Sequence, residues 1–126
     1  KGRLALPATF RNRLGEHCYL AKGQDKCVTV VPSATFEEEA EVMAARVRLG
    51  DVSRNQLRAL ASSAILVTLD KQGRVNVDEQ LRDYAGLQLG EPVTVAGSFD
   101  RLELWSPQRF TLVNDDGTGD LAGDDQ

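Results

Sequence analysis

Arg74 closes the run Asp70-Lys71-Gln72-Gly73-Arg74, and Arg3 closes Lys1-Gly2-Arg3. An aspartate at the head of a turn can accept backbone N–H bonds, and a glycine can supply the positive φ that a tight connection needs. Asp70 is thereby placed to orient Arg74. A guanidinium held in this way has lost freedom before it binds anything. Its planar fork can then engage a phosphate, or the O6 and N7 of guanine, with two hydrogen bonds. A single Asp-x-x-Gly-Arg turn reads as a solvated β-turn with a local ion pair. Repetition changes the reading, because many residues could close such a turn and both copies use Gly-Arg. The candidate binding set follows. Arg3 and Arg74 reach base edges, Lys1, Arg11, Arg13 and Lys71 position the nucleic-acid backbone, and Gly2 and Gly73 shape the turns.

Other chemistry finds little support. The chain has no Ser-His-Asp or Cys-His arrangement and no Gly-Lys phosphate loop. His17 is the sole histidine and falls in an expected loop. Cys18 and Cys27 lack metal-ligand spacing and read as buried thiols. Glu37, Glu38, Glu39 and Glu41 read as a solvated helix face. Neither an enzyme, a cofactor nor a metal is expected, and no small-molecule substrate. Phe10, Phe36, Trp105 and Phe110 sit at core periodicity and read as core side chains, not as base-stacking platforms.

The net charge of −4, taken as a total, argues against a nucleic-acid partner. Its distribution reverses that judgement. Asn114 to Gln126 carries Asp115, Asp116, Asp120, Asp124 and Asp125 with no base, so the remainder of the chain is +1. The beginning is basic, with Lys1, Arg3, Arg11, Arg13, Lys22 and Lys26 against Glu16 and Asp25. Local charge decides whether a face can sit on phosphate. No apolar run approaches a membrane span and no signal-peptide pattern precedes Arg3, so a soluble intracellular protein is expected.

The elements that position the arginines come twice. Lys1-Gly2-Arg3-Leu4-Ala5-Leu6-Pro7 recurs as Gln72-Gly73-Arg74-Val75-Asn76-Val77-Asp78, and at the same offset Phe10 meets Leu81, Arg11 meets Arg82 and Gly15 meets Gly86. A second block, Asp25 to Pro32, matches Asp100 to Pro107. Such a duplication predicts a pseudo-twofold module. In the first copy, residues 3–6 read as a strand, 8–14 as a short helix closed by Gly15, and 19–22 with 27–31 as a hairpin. A helix over 35–49, with Ser33 as candidate cap, and another over 53–63, capped by Ser53, join the copies. This pair could form a helix-turn-helix, but its second helix offers a groove only Arg54 and Arg58. The second copy repeats the plan with strands over 65–69 and 74–77, a helix over 79–84 and a hairpin of 93–96 with 102–105. Residues 110–112 read as a short last helix, and residues 114–126 as a disordered acidic tail.

Five segments carry a resemblance: Lys1 to Pro7, Gly23 to Cys27, Asp70 to Arg74, Tyr84 to Leu87 and Phe99 to Trp105. Together they resemble the MraZ family of bacterial transcriptional regulators, and each copy resembles the wider AbrB-like group. The resemblance implies an α+β fold. Two tandem swapped-hairpin β halves, residues 1–34 and 65–113, form a pseudo-twofold small barrel, with helices over 35–64 inserted and the tail over 114–126. It implies a cytoplasmic, nucleoid-associated repressor of the division and cell-wall gene cluster, assembled into a ring-like homo-oligomer. Its partner would be double-stranded DNA carrying short G-rich direct repeats upstream of its own operon. The family's Asp-x-x-x-Arg motif maps onto Asp70 and Arg74. In the first copy the acidic partner would precede Lys1, so the family's first strand is expected to be missing here. An antitoxin-like protein-binding module that also binds DNA is the alternative.

Overall fold

The computed structural model describes residues 3–123. Its elements run β1 (Arg3–Ala5), α1 (Ala8–Leu14), β2 (His17–Lys22), β3 (Val28–Pro32), α2 (Ser33–Arg48), α3 (Arg54–Ser63), β4 (Ile65–Thr68), β5 (Arg74–Asn76), α4 (Glu79–Ala85), β6 (Thr94–Ser98), β7 (Arg101–Trp105) and α5 (Pro107–Ala122). The architecture is mixed α+β with every strand pair antiparallel. β1 pairs with β5 in a two-stranded ribbon; the others form one sheet in the order β4-β2-β3-β7-β6. These pairings make two sheets and no closed barrel among the described residues.

Three pairings cross between the repeats: β1 with β5, β2 with β4, and β3 with β7. The two copies therefore interleave and share one core. Leu6, Leu14, Leu20, Val28 and Val30 from the first copy pack with Val75, Val77, Leu81, Leu102 and Leu104 from the second. Each fully buried aliphatic side chain contributes about 1.5–3 kcal/mol of burial, and the cluster draws them from both copies. The joining helices cover another face of β2 and β3. Phe36 of α2 stacks on Tyr19 at 4.4 Å between centroids, with Leu60 of α3 and Val31 around it. In the second copy Phe110 meets Trp105 edge-on at 5.9 Å. Cys18 and Cys27 are buried free thiols, and burial pushes them up to about 11 and about 12.

Four local expectations change. Residues 114–122 are helical, not disordered. Ser106 Oγ accepts from Arg109 N at 3.3 Å, Pro107 fits the first turn, and Gly123 ends the helix with φ +80. Once nucleated, a helix adds one hydrogen bond per residue, so a segment without an apolar stripe can continue an existing one. Ser33 does not cap α2; it is already helical, Pro32 precedes it, and no side-chain cap bond forms. Ser53, by contrast, makes a full capping box with Gln56. His17 opens β2 instead of lying in a loop, its Nδ1 3.1 Å from Thr68 Oγ1 on β4.

The match of Asp25–Pro32 to Asp100–Pro107 is also one residue out for the strands. Burial equates Val28 and Val30 with Leu102 and Leu104, which share the core, whereas the sequence match would equate Val28 with the half-buried Glu103. One residue of slip exchanges the two faces of a strand, so burial fixes the register.

Candidate nucleic-acid interface

Asp70 organises its turn with both carboxylate oxygens. Oδ1 accepts from the backbone N–H groups of Gln72 (2.8 Å) and Arg74 (2.9 Å), and Oδ2 accepts from Arg74 Nε at 2.8 Å. Gly73 N donates to Asp70 O at 2.9 Å, and Asp70 N to Arg74 O at 3.1 Å. Gly73 has φ +74, which a side chain would resist. The N–H groups of Arg74 and Gln72 and the Arg74 guanidinium hold the Asp70 carboxyl below its ordinary range, the Arg74 backbone N–H most of all. The ion pair uses only Nε of Arg74. Among the described residues its two terminal nitrogens have no protein partner, and the side chain is about one-third exposed (37%).

The ribbon then sets where the arginines face. Arg3 lies opposite Asn76, Leu4 opposite Val75, and Ala5 opposite Arg74. Opposed residues share a face, and alternate residues along a strand return to it. Val75 is buried and Leu4 packs against the core, so this is the inner face. Arg3, Ala5, Arg74 and Asn76 make the outer one. The two arginines stand diagonally across it, two residue steps or about 7 Å apart along the strands.

Lys71 is exposed in the Asp70 turn. Arg11 is half-buried; its Nε donates to Leu6 O at 3.1 Å and its side chain lies against buried Gly73. Arg13 does not line the arginine turn. It borders a pocket of about 230 Å³ at the tip of the β6–β7 hairpin, with Phe10, Phe99 and Arg101. Lys1 and Gly2 lie outside the described residues. Arg82 Nε donates to Val77 O at 3.1 Å, as Arg11 Nε does to Leu6 O. The two bonds match because Arg82 is the repeat counterpart of Arg11. No cluster of His, Cys, Asp or Glu fit to hold a metal occurs among the described residues, and no helix of the described residues is long and apolar enough to cross a membrane.

Residues 60–115 match the family model described as "MraZ protein, putative antitoxin-like". The chain is 41% identical over 128 residues to the transcriptional regulator MraZ of Bifidobacterium longum, an alignment covering 98% of this chain and 83% of that protein. It is 43% identical over 110 residues to that of a Nocardioides species, covering 87% and 75%. Against the Corynebacterium jeikeium protein it is 39% identical over 127 residues, covering 100% and 87%.

Proposed function

The chain belongs to the MraZ family of transcriptional regulators, and from that premise we propose that it reads duplex DNA through the outer face of its β1–β5 ribbon. The observation that carries this reading is the pair Arg3 and Arg74 on one exposed face, with Arg74 already fixed by Asp70. A two-stranded ribbon is narrow enough for the major groove, where arginine can grip guanine with two bonds. Lys71 stands beside it to meet phosphate, and Lys1, Arg11 and Arg13 add positive charge from the first copy.

The fuller reading is a repressor that binds short G-rich direct repeats upstream of its own operon in the division and cell-wall gene cluster. Direct repeats require several equivalent reading surfaces, and a ring-like homo-oligomer provides them through effective concentration. The cross-copy strand pairs support a swapped-hairpin, pseudo-twofold barrel as the repeated unit. A second reading, a protein-binding module, is favoured by the exposed Leu112 and Leu121 on acidic α5, which suit a basic protein partner.

The test is a salt titration of binding to a duplex with G-rich direct repeats and to a scrambled duplex. The expected slope of log affinity against log salt is about −0.9 per phosphate contacted, with preference for the repeats. Equal, salt-independent binding to both duplexes overturns the proposal. Removing residues 114–126 is expected to leave specific binding intact or to strengthen it, since it removes five negative charges.

A further inference from the structure

Gly73 is buried although its neighbours Lys71 and Gln72 are exposed. What covers it is Arg11, from the other copy. A Cβ built on Gly73 would run into Nε, Cδ and Cζ of Arg11. The same arginine is anchored by its Nε on Leu6 O at 3.1 Å, while Leu6 N donates to Gly73 O at 3.0 Å. Helix α1 thus clamps the second copy's turn from behind, one residue before Arg74. The repeat supplies the same local bond in the second copy, with Arg82 Nε donating to Val77 O at 3.1 Å.

We propose that Arg11 is a positioning residue for Arg74, acting across the copies. The inference rests on the DNA-binding reading of the ribbon and deepens it. It replaces a phosphate-contacting role for Arg11 with one in which the side chain fixes the turn that aims another arginine. Fixing the turn before binding removes an ordering cost, so sequence discrimination, not general affinity, depends on it. A phosphate contact would instead affect all DNA alike and contribute to the salt slope.

Two substitutions separate these roles. Glutamine places an N–H donor the same number of bonds from the backbone as arginine Nε, but carries no charge. Lysine carries the charge but has a methylene at that position. Binding of the full chain to the repeat duplex and the scrambled duplex is measured for wild type, Arg11→Gln, Arg11→Lys, Arg74→Ala and Arg11→Lys with Arg74→Ala. Amide hydrogen exchange of the DNA-free protein is followed at residues 72–74. Arg11→Lys is expected to lose about tenfold in discrimination, the loss of one charge-assisted hydrogen bond, with its salt slope kept. Arg11→Gln is expected to keep most of the discrimination. Exchange at residues 72–74 should rise in the lysine variant more than in the glutamine variant. The double variant should discriminate no worse than Arg74→Ala. An Arg11→Lys chain that fails to fold where Arg11→Gln folds supports the same anchor. Discrimination in Arg11→Lys equal to or better than in Arg11→Gln overturns the proposal, as do fully additive losses in the double variant. A wild-type protein that cannot tell the duplexes apart sinks the DNA reading alone, and exchange at the turn still decides whether Arg11 holds it.

Discussion

The two copies share a frame and differ at their hairpin tips. In the first, the β2–β3 connection passes through a 3-10 turn, Gln24–Lys26, with Asp25 and Lys26 at positive φ. The opposite copy closes it. Tyr84 of α4 donates to Gly23 O at 2.5 Å, and Lys22 stands 5.4 Å over its ring. In the second copy, β6 and β7 join through Phe99-Asp100 alone, and Phe99 is 98% exposed at φ 61. Here α1 brings Phe10 against Gly97, where a Cβ would lie 2.7 Å from the ring, and Arg13 stands where the repeat puts Tyr84. Arg101 forms ion pairs with Asp100 and with Glu39 of α2. The lesson is that the strands and helices around the shared core occupy corresponding positions, while the hairpin tips, outside it, diverge into different fastenings.

The largest test of this contrast is in the helices that face the core. Leu81 is fully buried whereas its counterpart Phe10 is half-exposed. Leu81→Ala should cost about 2–5 kcal/mol in chemical denaturation, and Phe10→Ala less despite its larger side chain. The reverse order would show that the first copy, not the second, anchors the core.

Next come the arginines. Arg3→Ala or Arg74→Ala should each weaken specific DNA binding by about 1–3 kcal/mol per site and relax preference for guanine at one position. Arg→Lys should keep charge without restoring discrimination. If both alanine variants fold, assemble and still select the same repeats, the ribbon is not the reading surface.

Smaller is the fastening of the first hairpin. Tyr84→Phe should cost about 0.5–1.5 kcal/mol and speed amide exchange around residue 23, leaving the Phe99 tip unchanged. Equal acceleration at both tips would contradict separate fastenings.

The smallest effect is on pH. Asp70 is held below its ordinary value mainly by the Arg74 N–H, and Asp100 mainly by the Arg101 side chain. Carboxylates with lowered folded values stabilise above their unfolded pKa, and that contribution disappears as pH falls through the folded value. Acid titration below the ordinary aspartate range should therefore loosen the Asp70 turn and the Phe99 tip. Asp70→Asn should remove the response at the turn and Asp100→Asn the response at the tip. A response at the turn that survives Asp70→Asn would assign it to another group.

Much of this protein was legible in its residues. The duplication alone places α1 and α4, and β1 and β5, at matching positions, and their observed bounds correspond residue for residue. The Asp70–Arg74 turn followed from an aspartate, a glycine and their spacing, because every bond in it spans four residues or fewer. Ser53 announced its helix cap for the same reason. Side chain and partner were close in sequence, so local chemistry sufficed.

The tertiary structure decided what depended on distant partners. Pairing of β2 with β4 and of β3 with β7 interleaves the copies, and burial of Val28 and Val30 against Leu102 and Leu104 fixes a register that the sequence match missed by one residue. The ribbon pairing brings Arg3 and Arg74 to one face, and the approach of α1 to Gly73 turns Arg11 from a surface charge into a clamp. A sequence pattern records which residues prefer to be buried or to turn. It does not record which distant surface completes them, because the gain from burying an apolar face depends on its area and not on the identity of the chain that covers it.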